Sequence, residues 1–186
     1  TYWDWGIWKN QNVLDRVDVR SANVLSAADF QALSLGATLY RLSGAGDAAA
    51  VINHAGENRL VSGFAAPAAR ANNGVTAFGV TVNVQVGGNA VPSWDGAFSM
   101  DNSAGDILRF DVDSGTIRTS GNLMGTPSFY SMNVHGTAFN SITTEDVSGS
   151  LVGPGGGAPP AGAIGRFHFT HGSAATVDGV FGSDLR

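Results

Sequence analysis

Val75-Thr76-Ala77-Phe78-Gly79-Val80-Thr81-Val82-Asn83-Val84-Gln85-Val86 places Phe78, Val80, Val82, Val84 and Val86 on one side of an extended chain. Gly79, Thr81, Asn83 and Gln85 fall on the other side. Successive side chains of a strand point to opposite faces, so this stretch reads as a strand with one buried and one wet face. Gly87-Gly88-Asn89 closes it as a turn, and Trp94 to Met100 returns antiparallel.

The same logic runs outward in both directions. Asp106 to Asp113 turns Leu108, Phe110 and Val112 inward and Arg109, Asp111 and Asp113 outward, and Ser114-Gly115 reads as a tight turn into Thr116 to Ser120. Further strands are expected at Ser128 to His135, Gly136 to Asn140, Glu145 to Val152, Ala163 to Thr170 and Ala174 to Phe181. Upstream, Ala37 to Ser43 and Arg59 to Phe64 form a pair around the turn-like Gly44-Ala45-Gly46-Asp47 and a connection from Ala48 to Asn58. Gly153 to Gly162, built of glycine, alanine and proline, cannot sustain a ladder and is expected to project as a loop. Only the stretch from Lys9 to Gly36 has helical character: Ser26 suits an N-cap, with Asp29 in the first turn of one short helix.

Nine to eleven short antiparallel strands with turns at regular spacing give an all-β meander. An up-and-down barrel of roughly eight strands is favoured over a sandwich, because closure removes unpaired edges. Residues 1–36 form an N-terminal aromatic strand and linker, and residues 37–186 the barrel domain.

Composition bounds the function. The 186 residues carry a formal charge of −5, with Lys9 the one lysine and the arginines scattered, so no basic patch exists to displace counterions from nucleic acid. The absence of cysteine excludes disulfides, thiolate-held zinc and cysteine nucleophiles. No apolar run is long enough for a membrane-spanning helix. The start at Thr1 without methionine reads as a processed mature form or an excised fragment.

The chemistry-bearing residues are few. Of His54, His135, His168 and His171, the last two are three apart and point to opposite faces if both lie on a strand, whereas chelation from a strand favours i and i+2; a turn at Thr170-His171-Gly172 would free that geometry, and a structural or solvent-exposed role is the expectation over a ligand role. Asp101-Asn102-Ser103-Ala104-Gly105-Asp106 is turn chemistry first, with Asp101, Asn102 and Asp106 as a secondary calcium alternative. No Gly-x-Ser-x-Gly elbow or carboxylate motif appears, and no cofactor is implied. The opening strand carries Tyr2, Trp3, Trp5 and Trp8, the candidate binding residues. Core placement competes for Trp3, Trp5 and Trp94, and Trp8, beside Lys9 and Asn10, is the best placed for exposure.

Several segments resemble the small β-barrel modules of transferrin-binding-protein-B-like bacterial surface proteins. These are Trp5-Gly6-Ile7-Trp8, Gly36-Ala37-Thr38-Leu39-Tyr40-Arg41-Leu42, Val75 to Val86, Gly149-Ser150-Leu151-Val152-Gly153-Pro154 and Val177-Asp178-Gly179-Val180-Phe181-Gly182. The matches are short, and their order along most of the chain carries more weight than any one of them. The resemblance implies an eight-stranded barrel, a bacterial outer-surface or extracellular location and a non-enzymatic binding role. The sequence contains no lipobox cysteine and nothing like a larger gripping lobe, so transferrin capture itself is not implied. The expected partner is therefore another protein or copies of the chain itself, assembling into a filament or layer. The alternative is a carrier or lectin-like barrel that takes a small ligand or a glycan.

Overall fold

The computed structural model describes residues 4–10, 13–63 and 79–186. The chain forms β1 (Asp4–Asn10), β2 (Val13–Arg20), α1 (Ala27–Ser34), β3 (Leu39–His54), β4 (Glu57–Gly63), β5 (Gly79–Gly87), β6 (Ser93–Asp101) and β7 (Ile107–Ile117). It continues with β8 (Asn122–Gly125), β9 (Phe129–Val134), β10 (Thr137–Phe139), β11 (Thr144–Val152), β12 (Gly162–Thr170) and β13 (Ala175–Leu185).

Antiparallel pairing runs from β3 to β5, β6, β7, β8, β11, β12 and β13, and β13 returns to β3. Eight strands thus close a ring in up-and-down order, as the all-β expectation required. Two long strands each serve two neighbours in succession. β3 pairs with β5 over Leu39–Gly46 and with β4 over Ala48–His54, while β7 pairs with β8 at Thr116–Ile117 and with β9 over Ile107–Asp111.

Alternation along each strand fills the ring. Val80, Val82, Val84 and Val86 are buried, whereas Thr81, Asn83 and Gln85 are half-exposed. Down the middle runs a column of rings: Trp94 on Phe181 (6.4 Å between centroids), Phe181 edge-on to Phe98 (5.0 Å), Phe98 stacked on Phe110 (4.3 Å), and Phe110 edge-on to Phe169 (5.0 Å). Offset and edge-to-face geometries suit the ring quadrupoles, adding to the area each ring removes from water. Trp94 belongs to the core, its indole N–H donating to the Met124 carbonyl at 3.0 Å.

The expected short helix is α1. The Ser26 hydroxyl accepts from Asp29 N and the Asp29 carboxylate accepts from Ser26 N, a reciprocal cap that satisfies two otherwise free donors. Its Phe30 and Leu33 are buried in the main core. The glycine-proline loop after β11 does not project as expected: Asp29 Oδ1 accepts from Gly156 N at 2.7 Å, and Gly153 N donates to the Asn23 carbonyl, drawing the loop onto the helix.

Two expected turns are strand instead. Gly44-Ala45-Gly46-Asp47 lies inside β3, and the turn comes later at Ala55-Gly56, where φ is +52° and +80°. Gly44 and Gly46 are there for proximity, because a Cβ on either would strike the β13 backbone at Asp184 or Gly182. Ser114-Gly115 likewise lies within β7, with the Trp94 indole lying over Gly115.

β1 and β2 form a separate two-stranded sheet outside the ring. Val17 and Val19 of β2 pack with Ala49, Val51, Leu60 and Val180 on the outer faces of β3, β4 and β13. This small second layer leaves the outer faces of β8, β11 and β12 beside it.

Candidate functional site

The outer faces of β8, β11, β12 and β13 together with β2 enclose an open groove of about 740 Å³. Strand parity decides what points into it. On β12, Phe167 and Phe169 turn inward, so Ile164, Arg166 and His168 turn outward. The ladders set Asp146, His168 and Asp178 abreast on β11, β12 and β13, and Ser148, Arg166 and Val180 abreast in the next row but one. His168 Nδ1 and the Asp178 carboxylate are 2.6 Å apart, a hydrogen-bonded pair on a wet surface. Arg166 is exposed on the same floor.

The far end of the ring is different in kind. His171 Nδ1 lies 2.7 Å from the Ser141 carbonyl, which can only accept, so Nδ1 carries the proton. Nε2 then accepts the Tyr130 hydroxyl at 2.8 Å. Burial pushes the His171 pKa below its ordinary value, and burial pushes that of Tyr130 up. Both groups stay neutral, a structural tie between β9 and the β12–β13 turn. Phe139 bridges His171 and His54, with ring centroids 4.9 and 5.4 Å away.

Beside that tie, Asp106 is almost wholly buried. Its carboxylate accepts from Arg59 Nη1 (3.2 Å), Asn102 Nδ2 (2.9 Å) and His135 N (3.0 Å). Burial alone would raise its pKa, but these donors outweigh burial and hold the carboxyl below its ordinary value. The Asn102 side-chain oxygen accepts from Ala104 N and Asp106 N, which shapes the β6–β7 turn. In the stretch weighed for calcium, Asn102 and Asp106 therefore turn their oxygens to the chain's own N–H groups, and Asp101 sits in the β6 ladder opposite Ile107. Among the described residues, no three His, Cys, Asp or Glu side chains are placed to hold a metal ion.

Of the four aromatic candidates, Tyr2 and Trp3 lie outside the described residues. Trp5 and Trp8 are on β1, where the ladder sets them opposite Val19 and Arg16. The groove residues of β2 and Arg166 went unremarked in the sequence, although one signal for Arg166 and His168 was present: they alternate with two phenylalanines that must face inward.

Comparison with known proteins adds the fold. No protein-family model matches the chain, and no curated protein does. A solved structure that it resembles is a double mutant of the vaccine antigen Transferrin Binding Protein B (TbpB) from Haemophilus parasuis Hp5. The likeness has a TM-score of 0.51 at 15% identity and covers 99% of this chain. The fold is TbpB-like. The chain spans about a third of that protein's length (32%), and at this identity the likeness speaks to the fold alone. The TbpB-like ring thus carries two distinct polar features, a buried end that fastens hairpins together and an outer groove open to solvent.

Proposed function

We propose that the chain is a non-catalytic module of a bacterial cell-surface or extracellular protein that acts through protein–protein contacts on the outside of its ring. The observation that carries this reading is the aromatic column. With Trp94, Phe181, Phe98, Phe110, Phe167 and Phe169 packed against one another, the described interior is occupied by side chains, so a carrier holding its ligand within the ring is disfavoured. Recognition then falls to the outer surface, where β2 and the neighbouring ring strands line an open groove. Likeness in fold to a protein whose name describes protein binding supports the same reading.

The test places a photo-crosslinking amino acid at Ser148 or Asn122 in the groove, and at exposed Ser173 on the β12–β13 turn, in cells that make the protein. The groove positions are expected to trap a protein adduct and Ser173 is not. Equal or absent adducts from all three would refute the reading. Self-assembly is a separate matter: a particle that stays monomeric by light scattering at rising concentration excludes it and leaves contact with another protein standing.

A further inference from the structure

We propose that residues 137–143 form a strap across one end of the ring, and that the strap opens when His171, the side chain beneath it, takes up a proton. The strap consists of β10 and the residues that lead from it to β11. β9 is held to β7 from Phe129 to Asn133, but β10 has β9 as its one ladder partner among the described residues, and only over Thr137–Phe139. Thr137, Ala138, Asn140, Ser141 and Thr143 are exposed, and Phe139 and Ile142 alone pack on the core. A segment with so short a ladder and so little apolar burial opens at lower cost than the strands of the ring.

The contacts that hold the strap down converge on His171. The Ser141 carbonyl accepts from its Nδ1 at 2.7 Å, and the Phe139 ring lies 4.9 Å from the imidazole. On either side, Thr143 N donates to the Thr170 carbonyl and the Thr143 hydroxyl accepts from Gly172 N. On the β9 side, the Tyr130 hydroxyl donates to Nε2. His171 is therefore buried with both ring nitrogens used in the neutral form.

A proton on Nε2 turns that acceptor into a donor. The Tyr130 hydroxyl can reverse to accept it, turning its own proton toward Met132 Sδ at 3.5 Å, but the charge stays under the strap. Among the described residues no carboxylate forms an ion pair with His171. Asp106 is held by Arg59, Asn102 and the His135 N–H, and Glu57 lies against Arg59 and the His135 ring. Glu145 is exposed on β11, and the His168–Asp178 pair lies on the outer face. His54 turns Nδ1 to the Ala174 carbonyl, and protonation of His54 or His135 adds charge of the same sign to this end. Opening gives the imidazolium to water and uncovers Tyr130, with Phe169 and Phe110 behind it.

Burial holds the His171 pKa below its ordinary 6.5, so the closed strap binds the proton less tightly than the open one. Closure is undiminished above pH 6.5 and weakens as pH falls from there toward the lowered value. One proton sets the limit, about tenfold in the opening equilibrium per pH unit.

The test is amide exchange in the full chain, residue by residue, from about pH 8 to about pH 5, expressed as protection relative to an unstructured chain so that the intrinsic pH dependence cancels. Protection at Thr143 and Gly172 is expected to fall below pH 6.5 by up to about tenfold per pH unit, while the amides of β5 and β6 keep theirs. His171→Asn retains an N–H for the Ser141 carbonyl but takes up no proton, and its protection at Thr143 should not vary with pH. Constant protection in the wild type, a slope that survives in His171→Asn, or a loss shared by β5 and β6 would overturn the proposal. Should His171→Asn open the strap at every pH, the wild-type ring protons decide by NMR: the pH at which protection levels off must be the pH at which the His171 ring titrates, and a mismatch overturns the proposal.

Discussion

Replacing Gly179 with alanine tests how tightly the ring interior is filled. Gly179 lies directly opposite Phe167 in the β12–β13 ladder, and the Phe167 ring lies over it. A Cβ there would come within 2.8 Å of Phe167 Cε1, with two further ring atoms nearer still. Phe167 cannot swing clear, because it is buried with the Phe110 and Phe169 centroids 4.8 and 5.4 Å away. Overpacking of this kind costs about 1–3 kcal/mol. The smaller conformational entropy of an unfolded alanine returns about 0.4–1 kcal/mol, since Gly179 has no positive φ to disfavour a side chain. The net loss should be about 1–2 kcal/mol, a fall in Tm of roughly 2–8 °C for a chain of this size. Urea denaturation should show a lower midpoint with an unchanged slope. Phe167→Leu should relieve the clash, so the double variant should be more stable than the sum of the single losses allows, with coupling of about 0.5–3 kcal/mol. Wild-type stability for Gly179→Ala, or strict additivity in the double variant, would refute a ring packed to capacity by aromatic-on-glycine pairs.

At the polar end, Tyr130→Phe leaves His171 Nε2 buried without its donor and should cost about 1–3 kcal/mol in thermal or chemical unfolding. Because the folded His171 pKa is depressed, its contribution is fully present above its ordinary value of 6.5 and is lost as pH falls below it, when the unfolded chain takes up the proton first. His171→Asn should flatten that part of the stability–pH curve, and an unaltered slope would count against the assignment. Asp106→Asn should destabilise by about 2 kcal/mol, since a carboxylate that accepts three donors becomes a neutral amide. The depressed Asp106 pKa further means that its contribution, present above the ordinary 3.8, fades as pH falls below that value, and the variant should lose this acid-limb dependence in the same titration. Ser26→Ala should cost about 1 kcal/mol by unfolding, and Asp29→Ala should speed limited proteolysis within Gly153–Gly162, because Asp29 is what holds Gly156.

The glycine residues mark where sequence reading succeeds and where it stops. The valines of β5 and the inward leucine, phenylalanine and valine of β7 announce their face by alternation alone, since one buried face is all that a period of two requires. Ser26 and Asp29 announced the helix start in the same local way. Gly44, Gly46 and Gly115 sit in equally turn-like surroundings yet lie in extended chain, because what they accommodate is distant in sequence: the β13 backbone for the first two, the Trp94 ring for the third. Glycine marks a turn where φ is positive, as at Ala55-Gly56, Gly87-Gly88-Asn89, His135-Gly136 and Gly172. Glycine's meaning in this fold is thus set by register, and register is fixed by ring closure rather than by any short stretch. The same limit governs the candidate site. The tryptophans of the first strand stand out as large apolar residues in an unusual run, but the groove depends on where β2 lies across the ring, and a sequence shows a strand's faces without showing what packs beside them. Arg166 is legible as an outward residue between Gly165 and Phe167; that it lines one groove with β2, far away in the chain, follows only from the way β2 is laid across β3, β4 and β13.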